Sequence, residues 1–406
     1  MHPAAVAARR SVVVILRAAG NALGVCLAVV VLALEFAGTL PPPSLPFLAL
    51  AVVVPEISPA LFVVAVLVAL TAWRLMRGRL RAFAVGCAAL ASLLAAVPLA
   101  EYPAARAAAE SALRAGLGSA ARTHIATKEP TVRFDVLRDR RVRLRDGTTL
   151  GLDVYRPSGS ALHPTIVTIY GGAWRFGKRA DMAKIDEAYA ARGYTVVAID
   201  YRHVPRYRYP TQIDDVRDAL ATIARNATRW HVDRNRVALF GRSAGAELAL
   251  LAAYEPAPLH VRAVVGYYSP TDLVAGFEVP PRPDPADVRF ILSSYLGAPP
   301  AERRAAYRAA SPLAHVRTGL PPTFLIVGLH DSLITQTMQR ALERALRAKC
   351  DRVVAIELPW SNHAFDEVPG GLGRSIAEPL TREFLAVTLK SSRKRRKTSF
   401  AMSARV

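Results

Sequence analysis

The stretch Val237-Ala-Leu-Phe-Gly-Arg-Ser-Ala-Gly-Ala, residues 237–246, joins a short apolar run to a segment rich in Ala and Leu. The run predicts a buried strand, and residues 244–254 predict a helix. Ser243 stands at the junction between two glycines, in the pattern G-x-S-x-G. A serine at such a strand-to-helix turn has a strained backbone and an exposed hydroxyl, and the glycines leave room for the turn. We therefore expect Ser243 to act as a nucleophile.

Apolar runs alternate with amphipathic stretches around this turn, which is typical of βαβ units and a mainly parallel sheet flanked by helices. The first strands have no helix between them, and Asp-Gly-Thr-Thr at 146–149 predicts a hairpin. Residues 269–321 interrupt the alternation and predict a Pro- and Arg-rich insertion or lid within an α/β domain spanning 131–389. Strands are expected at 132–137, 142–144 with 150–155, 165–170, 195–200, 237–240, 263–267, 323–327 and 353–358, and helices at 181–192, 212–228, 244–254, 333–349 and 374–388.

A loop with two adjacent glycines, Tyr-Gly-Gly-Ala-Trp at 170–174, follows one of these strands. Its position is that of the second half of an oxyanion hole, where backbone N–H groups face the nucleophile. Gly172 and Ala173 are the best candidate donors there, and the Ala244 N–H at the helix start is the third. An ordinary glycine turn is the alternative interpretation.

Two further candidates follow strand ends in the order acid, then base. Asp331 lies just beyond the strand at 323–327, and His363 lies beyond the strand at 353–358. His363 would take the Ser243 proton, and Asp331 would orient the resulting imidazolium. His330 and Asp366 are competitors for base and acid, although either exchange would break the expected order.

Taken together, these motifs resemble the α/β-hydrolase esterases of the hormone-sensitive-lipase and bacterial carboxylesterase type, over roughly 150–389. The resemblance implies Ser243 as nucleophile, Asp331 as acid, His363 as base and Gly172, Ala173 and Ala244 as oxyanion donors. It rests on Tyr170-Gly-Gly-Ala-Trp, Asp200-Tyr-Arg with Pro210 and Asp214-Asp215, Gly241-Arg-Ser-Ala-Gly, Gly328-Leu-His-Asp-Ser-Leu-Ile and Asn362-His-Ala-Phe.

Three positions depart from the family pattern. Tyr170 replaces the usual His of the H-G-G loop, Arg242 stands where many members have Asp, and Ala246 stands where a third Gly is common. The layout, with apolar segments ahead of the hydrolase region, is similar to membrane-anchored esterases of actinobacteria.

The first 100 residues are apolar and poor in charge, and predict a membrane region with three transmembrane helices at about 18–38, 47–73 and 82–100. Three successive runs exceed what a cleaved signal peptide explains, and none shows a clear polar face. Residues 101–130 are expected to form a helical linker. Glu56, beside Pro55 and Pro59, is expected to mark a kink or interfacial loop, with an intramembrane functional carboxylate as the alternative.

Basic residues predict the orientation of these spans. Arg9, Arg10 and Arg17 precede the first run, the first loop has no Lys or Arg, and the second loop has four Arg. The positive-inside rule then places the N-terminus in the cytoplasm and the catalytic domain outside, in a multi-pass bacterial membrane protein.

The C-terminal stretch 390–406 holds seven Lys or Arg and no acidic residue, a third of the net charge of +21. Such a block predicts a disordered basic tail that is suited to anionic lipid, and we expect no specific nucleic-acid partner. The three cysteines have no metal-site or disulfide spacing, and no metal or cofactor is expected.

The residues favour hydrolysis of small-molecule or lipid carboxylic esters through an acyl-enzyme. An amidase, formamidase or acyltransferase with the same triad is the rival enzyme, and a catalytically silent, membrane-bound binding module is the rival from another class. The motifs leave acyl length and oligomeric state open.

Overall fold

A computed structural model of the chain describes residues 3–118 and 131–390. Four helices come first: α1 (Pro3–Thr39), α2 (Leu45–Glu56), α3 (Ser58–Leu75) and α4 (Gly78–Leu117). Three segments of them are long and apolar enough to cross a membrane by length and composition: Val14–Thr39, Ser58–Leu75 and Gly78–Leu117. Only 17–28% of their apolar windows is buried within the chain, so most of each apolar surface faces outward.

The second apolar segment, predicted as one span over 47–73, is two helices in the structure. The break falls at Ile57, between α2 and α3, where Pro55 and Pro59 flank the junction. Proline removes an amide donor and clashes with the preceding turn, which explains the break. The 12 residues of α2 extend about 18 Å and are too short to cross a bilayer.

The helix that contains the third apolar segment continues past residue 100. Helix α4 is 40 residues long, from Gly78 to Leu117. The predicted linker 101–130 is therefore helical at 101–117, and its part 119–130 lies outside the described residues. Ala105, Ala109 and Leu113 of this second half are buried in the core of the following domain. The first part of the predicted linker is therefore a packed element of that domain.

An eight-stranded sheet forms the domain after the helices, in the order β1-β2-β4-β3-β5-β6-β7-β8. Its strands β3 to β8 run parallel, whereas β2 is antiparallel to both β1 and β4. The segments 132–137 and 142–144, predicted as separate strands, belong to one strand with a register shift between Leu137 and Arg140. The strands are β1 (Phe134–Arg143), β2 (Thr149–Pro157), β3 (His163–Ile169), β4 (Thr195–Ile199), β5 (Val232–Arg242), β6 (Val261–Tyr267), β7 (Thr323–Gly328) and β8 (Val353–Leu358).

Helices flank this sheet and complete the mainly parallel architecture expected from the sequence. The interruption at 269–321 contains three of them, α8 to α10, where the sequence showed no clear pattern. Residues 391–406 of the predicted basic tail lie outside the described residues, and the last helix ends at Lys390. The helices are α5 (Ala183–Ala190), α6 (Thr211–Arg225), α7 (Ala244–Tyr254), α8 (Leu273–Glu278), α9 (Val288–Leu296), α10 (Pro300–Ala309), α11 (Gln336–Ala348) and α12 (Leu372–Lys390).

The sheet gathers its functional loops at one edge. Strands β4 and β7 are buried along their whole length and lie inside the largest apolar cluster. Because parallel strands end at the same edge, the loops after β3, β5, β7 and β8 meet there. Those four loops carry every site residue predicted from the sequence.

Candidate active site

Ser243 stands on a strained turn between β5 and α7. Its backbone has φ 50° and ψ −123°, a conformation that L-residues rarely adopt. The backbone around the turn is too close for a side chain at either flanking glycine. A Cβ on Gly245 would lie 2.2 Å from the carbonyl oxygens of Ile169 and Tyr170. A Cβ on Gly241 would lie 2.1 Å from the Gly245 carbonyl oxygen. The turn therefore holds the serine at the start of α7.

A hydrogen-bonded chain connects Ser243, His363 and Asp331. The Ser243 Oγ lies 3.0 Å from Nε2 of His363, and Nδ1 of the same ring lies 2.9 Å from Oδ2 of Asp331. The other oxygen of Asp331 accepts from the backbone N–H groups of Leu333 and Ile334, at 2.9 and 2.8 Å. The carboxylate is thus fixed from two sides with one oxygen aimed at the imidazole.

The competing acid and base lie elsewhere. Asp366 is paired with the buried guanidinium of Arg242 and accepts the Tyr268 hydroxyl at 2.8 Å. His330 is exposed, and its backbone N–H donates to the Ser361 carbonyl at 3.1 Å. The side chains in the hydrogen-bonded chain that starts at Ser243 are therefore those that follow the expected chain order.

The glycine loop after β3 passes directly beside Ser243. A Cβ built on Gly171 would lie 3.1 Å from the Ser243 Cβ. Among the described residues, no hydrogen bond takes the N–H of Gly172 or Ala173 as donor. Both residues line the cleft that contains Ser243. Their amides are free to bind an oxygen of a bound molecule, and Ala244 begins the helix on the other side.

Tyr170, at the position of the family's usual His, is tied to its surroundings by its ring and hydroxyl. It stacks on Tyr201 with ring centroids 4.5 Å apart, and its hydroxyl lies 2.9 Å from Nε2 of His203. The Tyr201 hydroxyl returns a hydrogen bond to the Tyr170 carbonyl at 3.2 Å. This aromatic pair supports the glycine loop.

Glu247 was missed by reasoning from the sequence. It lies on α7, one turn after Ser243, and is fully buried. Its carboxyl accepts the Trp174 indole N–H at 3.1 Å and the Tyr295 hydroxyl at 3.3 Å, so it joins the glycine loop to α9 of the insertion. Burial raises the pKa of Glu247 well above its ordinary value. The sequence signal that could have identified Glu247 is that it is a single acidic residue within an Ala- and Leu-rich helix.

Arg242, the other departure from the family pattern, is a buried ion-pair partner. Its guanidinium contacts Asp366 and lies 3.3 Å from the Glu367 carboxylate. Both acids follow His363 in the chain. The pair therefore links the turn that carries Ser243 to the loop that carries His363.

An open cleft of about 640 Å³ leads to Ser243 and His363. Leu45 of the N-terminal region, Phe176 of the glycine loop and Phe290 of the insertion line it. A smaller cavity of about 50 Å³ also reaches Ser243 but runs beneath α8 and α9. Its walls are mostly apolar. Among the described residues, no group of three or more His, Cys, Asp or Glu could hold a metal ion.

Comparison with known proteins identifies relatives of this domain. The family model described as BD-FAE matches residues 152–346. Esterase LipQ of Mycobacterium tuberculosis is 31% identical over 255 residues, which cover 59% of this chain and 59% of LipQ. Esterase LipC of the same organism is 33% identical over 250 residues, covering 57% of this chain and 60% of LipC. The chain thus spans about three fifths of the length of these relatives.

Solved esterase structures share the fold. An esterase of Pyrobaculum calidifontis matches with a TM-score of 0.53 and 22% identity, over 71% of this chain and 94% of that protein. A propionate-bound esterase of Thermogutta terrifontis matches with a TM-score of 0.51 and 22% identity, over 63% of this chain and 94% of that protein. These matches confirm the resemblance found in the motifs: the domain that follows the N-terminal helices has the α/β-hydrolase fold and is similar in sequence to esterases.

Proposed function

We propose that this chain is a serine hydrolase that cleaves carboxylic esters through an acyl-enzyme. The hydrogen-bonded chain from Ser243 through His363 to Asp331 is the observation that carries the proposal. The relatives that are named esterases favour an ester substrate.

Each predicted residue has a step in this mechanism. The Ser243 Oγ bonds to the ester carbonyl carbon while His363 Nε2 takes the serine proton. The carbonyl oxygen becomes an oxyanion held by the N–H groups of Gly172, Ala173 and Ala244. His363 then gives its proton to the alcohol oxygen as the carbon–oxygen bond breaks. Water repeats the sequence, with His363 as base, and releases the acid and free Ser243.

We also propose that the N-terminal helices anchor the domain in a membrane, with the domain on the outer side. The three apolar segments are long enough to span a bilayer and are mostly unburied within the chain. The distribution of Arg residues in the first 81 positions favours this orientation.

The mechanism is tested with Ser243→Ala. We expect hydrolysis of p-nitrophenyl acetate to fall by a factor on the order of 10⁴ or more, because no other group replaces the nucleophile. Labelling by a fluorophosphonate probe should disappear as well. Ser160→Ala, at an exposed serine of the β2–β3 connection, is the control and should keep both signals. Equal labelling of wild type and Ser243→Ala, or no labelling of wild type, would contradict the proposal.

A further inference from the structure

The two cavities that meet at Ser243 differ in size and in their relation to the base. Both contain Ser243 and Ala173, but His363 lines only the cleft of about 640 Å³. The base must protonate the departing alcohol oxygen, so the alcohol part of an ester has to lie on the side that His363 faces. The acyl part is left with the smaller cavity beneath α8 and α9.

The smaller cavity sets a limit on the acyl group. Its volume is about 50 Å³, and one water-sized group needs roughly 10–15 Å³ on the same scale. Leu273, Leu292 and Met338 close it, and each is nearly fully buried. There is room for an acyl chain of only a few carbons.

The larger cleft has an apolar mouth. Leu45, Phe176 and Phe290 line it and are exposed at 58%, 67% and 55%. Exposed apolar side chains grouped at a cleft mark a surface that receives an apolar ligand. Arg175 is stacked over the Phe290 ring at 5.0 Å and supplies a cation beside them.

Leu45 also places the mouth of the larger cleft near the proposed membrane. It is the first residue of α2 and follows Thr39, the last residue of the first candidate span, by six positions. The wall that it forms is therefore close to the end of a candidate membrane span. A ligand that lies in the outer leaflet can reach the cleft from that side.

From these observations, and resting on the proposed ester hydrolysis, we propose that the substrate is an ester of a short acyl group with a long apolar alcohol that enters from the bilayer. The long alcohol chain lies along Leu45, Phe176 and Phe290, and the short acyl group occupies the cavity beneath α8 and α9. Transfer of the acyl group to Ser243 breaks the ester carbon–oxygen bond, and His363 returns the proton to the alcohol.

Two isomeric esters test this assignment on the full chain in phosphatidylcholine vesicles. Hexadecyl acetate has the short acyl group and long alcohol, whereas ethyl hexadecanoate has the reverse arrangement with equal atoms. We expect kcat/KM for hexadecyl acetate to exceed that for ethyl hexadecanoate by about 10-fold or more. A difference of this size arises when even one methylene group fits, or fails to fit, a hydrophobic pocket. Equal rates, or a preference for ethyl hexadecanoate, would overturn the assignment. Failure to cleave even p-nitrophenyl acetate would instead contradict the proposed function.

Single substitutions test the alcohol side and the acyl side of the proposed site separately. Leu45→Ser should lower kcat/KM for hexadecyl acetate by a larger factor than for p-nitrophenyl acetate. Leu40→Ser is a matched control, because Leu40 is equally exposed at 58% and does not line the cleft. Met338→Ala should enlarge the acyl cavity and shift the optimum among p-nitrophenyl esters to longer acyl chains. Equal effects of Leu45→Ser and Leu40→Ser on hexadecyl acetate, or an unchanged acyl optimum in Met338→Ala, would count against the assignment.

A second and independent observation concerns Glu56, at the other end of α2. This carboxylate is only 1% exposed although it belongs to the N-terminal helical region. It accepts the Ser361 hydroxyl at 2.6 Å and the Gly373 N–H at 2.5 Å. Gly373 lies in the first turn of α12, where a carboxylate also interacts favourably with the helix dipole.

Ser361 connects Glu56 to the predicted base and acid. It stands two positions before His363, and its carbonyl accepts the His330 N–H at 3.1 Å, next to Asp331. The following residue, Asn362, accepts from the N–H groups of Ser332 and His363, at 3.0 and 2.7 Å. These hydrogen bonds join the loops after β7 and β8 to each other. Glu56, which lies outside the hydrolase domain, is hydrogen-bonded to the joined loops through Ser361.

We infer that Glu56 is a positioning residue for His363, acting through Ser361. Ser361→Ala removes one hydroxyl and should lower kcat by roughly 10- to 100-fold, because a misplaced base loses near-attack geometry. KM should change by a much smaller factor. Glu56→Gln should act in the same direction. Glu35→Gln is the control, since Glu35 is a buried carboxyl of the same region, and among the described residues no hydrogen bond joins it to the loop that carries His363.

Thermal melting, measured beside kinetics, separates positioning from a purely structural role. A folded Ser361→Ala variant with wild-type kcat would overturn the inference, whatever its melting temperature. If Glu56→Gln fails to fold, Ser361→Ala alone carries the test, because it leaves the Glu56–Gly373 contact in place.

Discussion

At the scale of single residues, two carboxylates near His363 have different surroundings. Asp331 points one oxygen at His363 and has its other oxygen bound by backbone N–H groups. Asp366 is three positions beyond His363 and neutralises Arg242 instead. Sequence proximity alone would not distinguish them, whereas their hydrogen-bond partners do.

These surroundings predict different results for two similar substitutions. Asp331→Asn should lower kcat by about 10³- to 10⁴-fold with little change in melting temperature, because the imidazole loses its orienting carboxylate. Asp366→Asn should instead lower the free energy of unfolding by about 3 kcal/mol, since it leaves the buried Arg242 charge poorly compensated. Steady-state kinetics and urea denaturation of both variants measure this contrast. A larger loss of kcat in Asp366→Asn would show that the acid has been misassigned.

Glu247 predicts a pH dependence of stability. Its pKa is raised in the folded state by burial, so above the ordinary carboxyl range the folded chain holds a proton that the unfolded chain releases. The free energy of unfolding therefore falls as pH rises. Glu247→Gln lacks this proton, so its stability relative to wild type should increase from pH 5 to pH 8, by at most ~1.4 kcal/mol per pH unit.

Chemical denaturation at several pH values measures this difference. Glu302→Gln, at an exposed carboxylate of α10, is the control and should follow the wild type across the range. A constant difference between Glu247→Gln and wild type would mean that Glu247 stays ionised in the folded chain.

At the scale of elements, the strand-to-helix turn at Ser243 and the strand ends at Asp331 and His363 could be predicted from the sequence. Each depends on residues that are adjacent in the chain, and the parallel order of the sheet then brings the strand ends together. Leu45 and Glu56 could not be assigned in this way, because their partners lie hundreds of positions later. A helix past residue 100 was predicted, but its packing into the hydrolase core was not, because its Ala-rich surface has too weak a periodicity to show which side is buried.

The second half of α4 should contribute measurably to the hydrolase core. Leu113 is 3% exposed, whereas Leu93 of the same helix is 67% exposed. Leu113→Ala should lower the free energy of unfolding by about 2–4 kcal/mol, because it leaves a cavity against the sheet. Leu93→Ala should cost less than about 1 kcal/mol. Denaturation of the full chain in detergent micelles, followed by loss of the proposed esterase activity, compares them; equal costs would show that α4 does not pack there.

At the scale of the whole molecule, the proposed orientation can be tested with the native cysteines. Cys350 is exposed on the hydrolase domain, whereas Cys26 and Cys87 lie in candidate spans. A membrane-impermeant maleimide should label the chain in intact cells, and Cys350→Ser should abolish that labelling. Labelling that requires cell lysis would place the domain on the cytoplasmic side.

Helix α4 has one more consequence for the whole molecule. It is a single helix from a candidate span into the hydrolase core, so under the proposed membrane anchoring the packed second half of α4 holds the cleft at a fixed height above the lipid. Its encounters with substrate then occur by lateral diffusion in two dimensions. Turnover should follow the mole fraction of ester in the bilayer, and diluting the vesicles with water at constant lipid composition should leave the rate per enzyme unchanged.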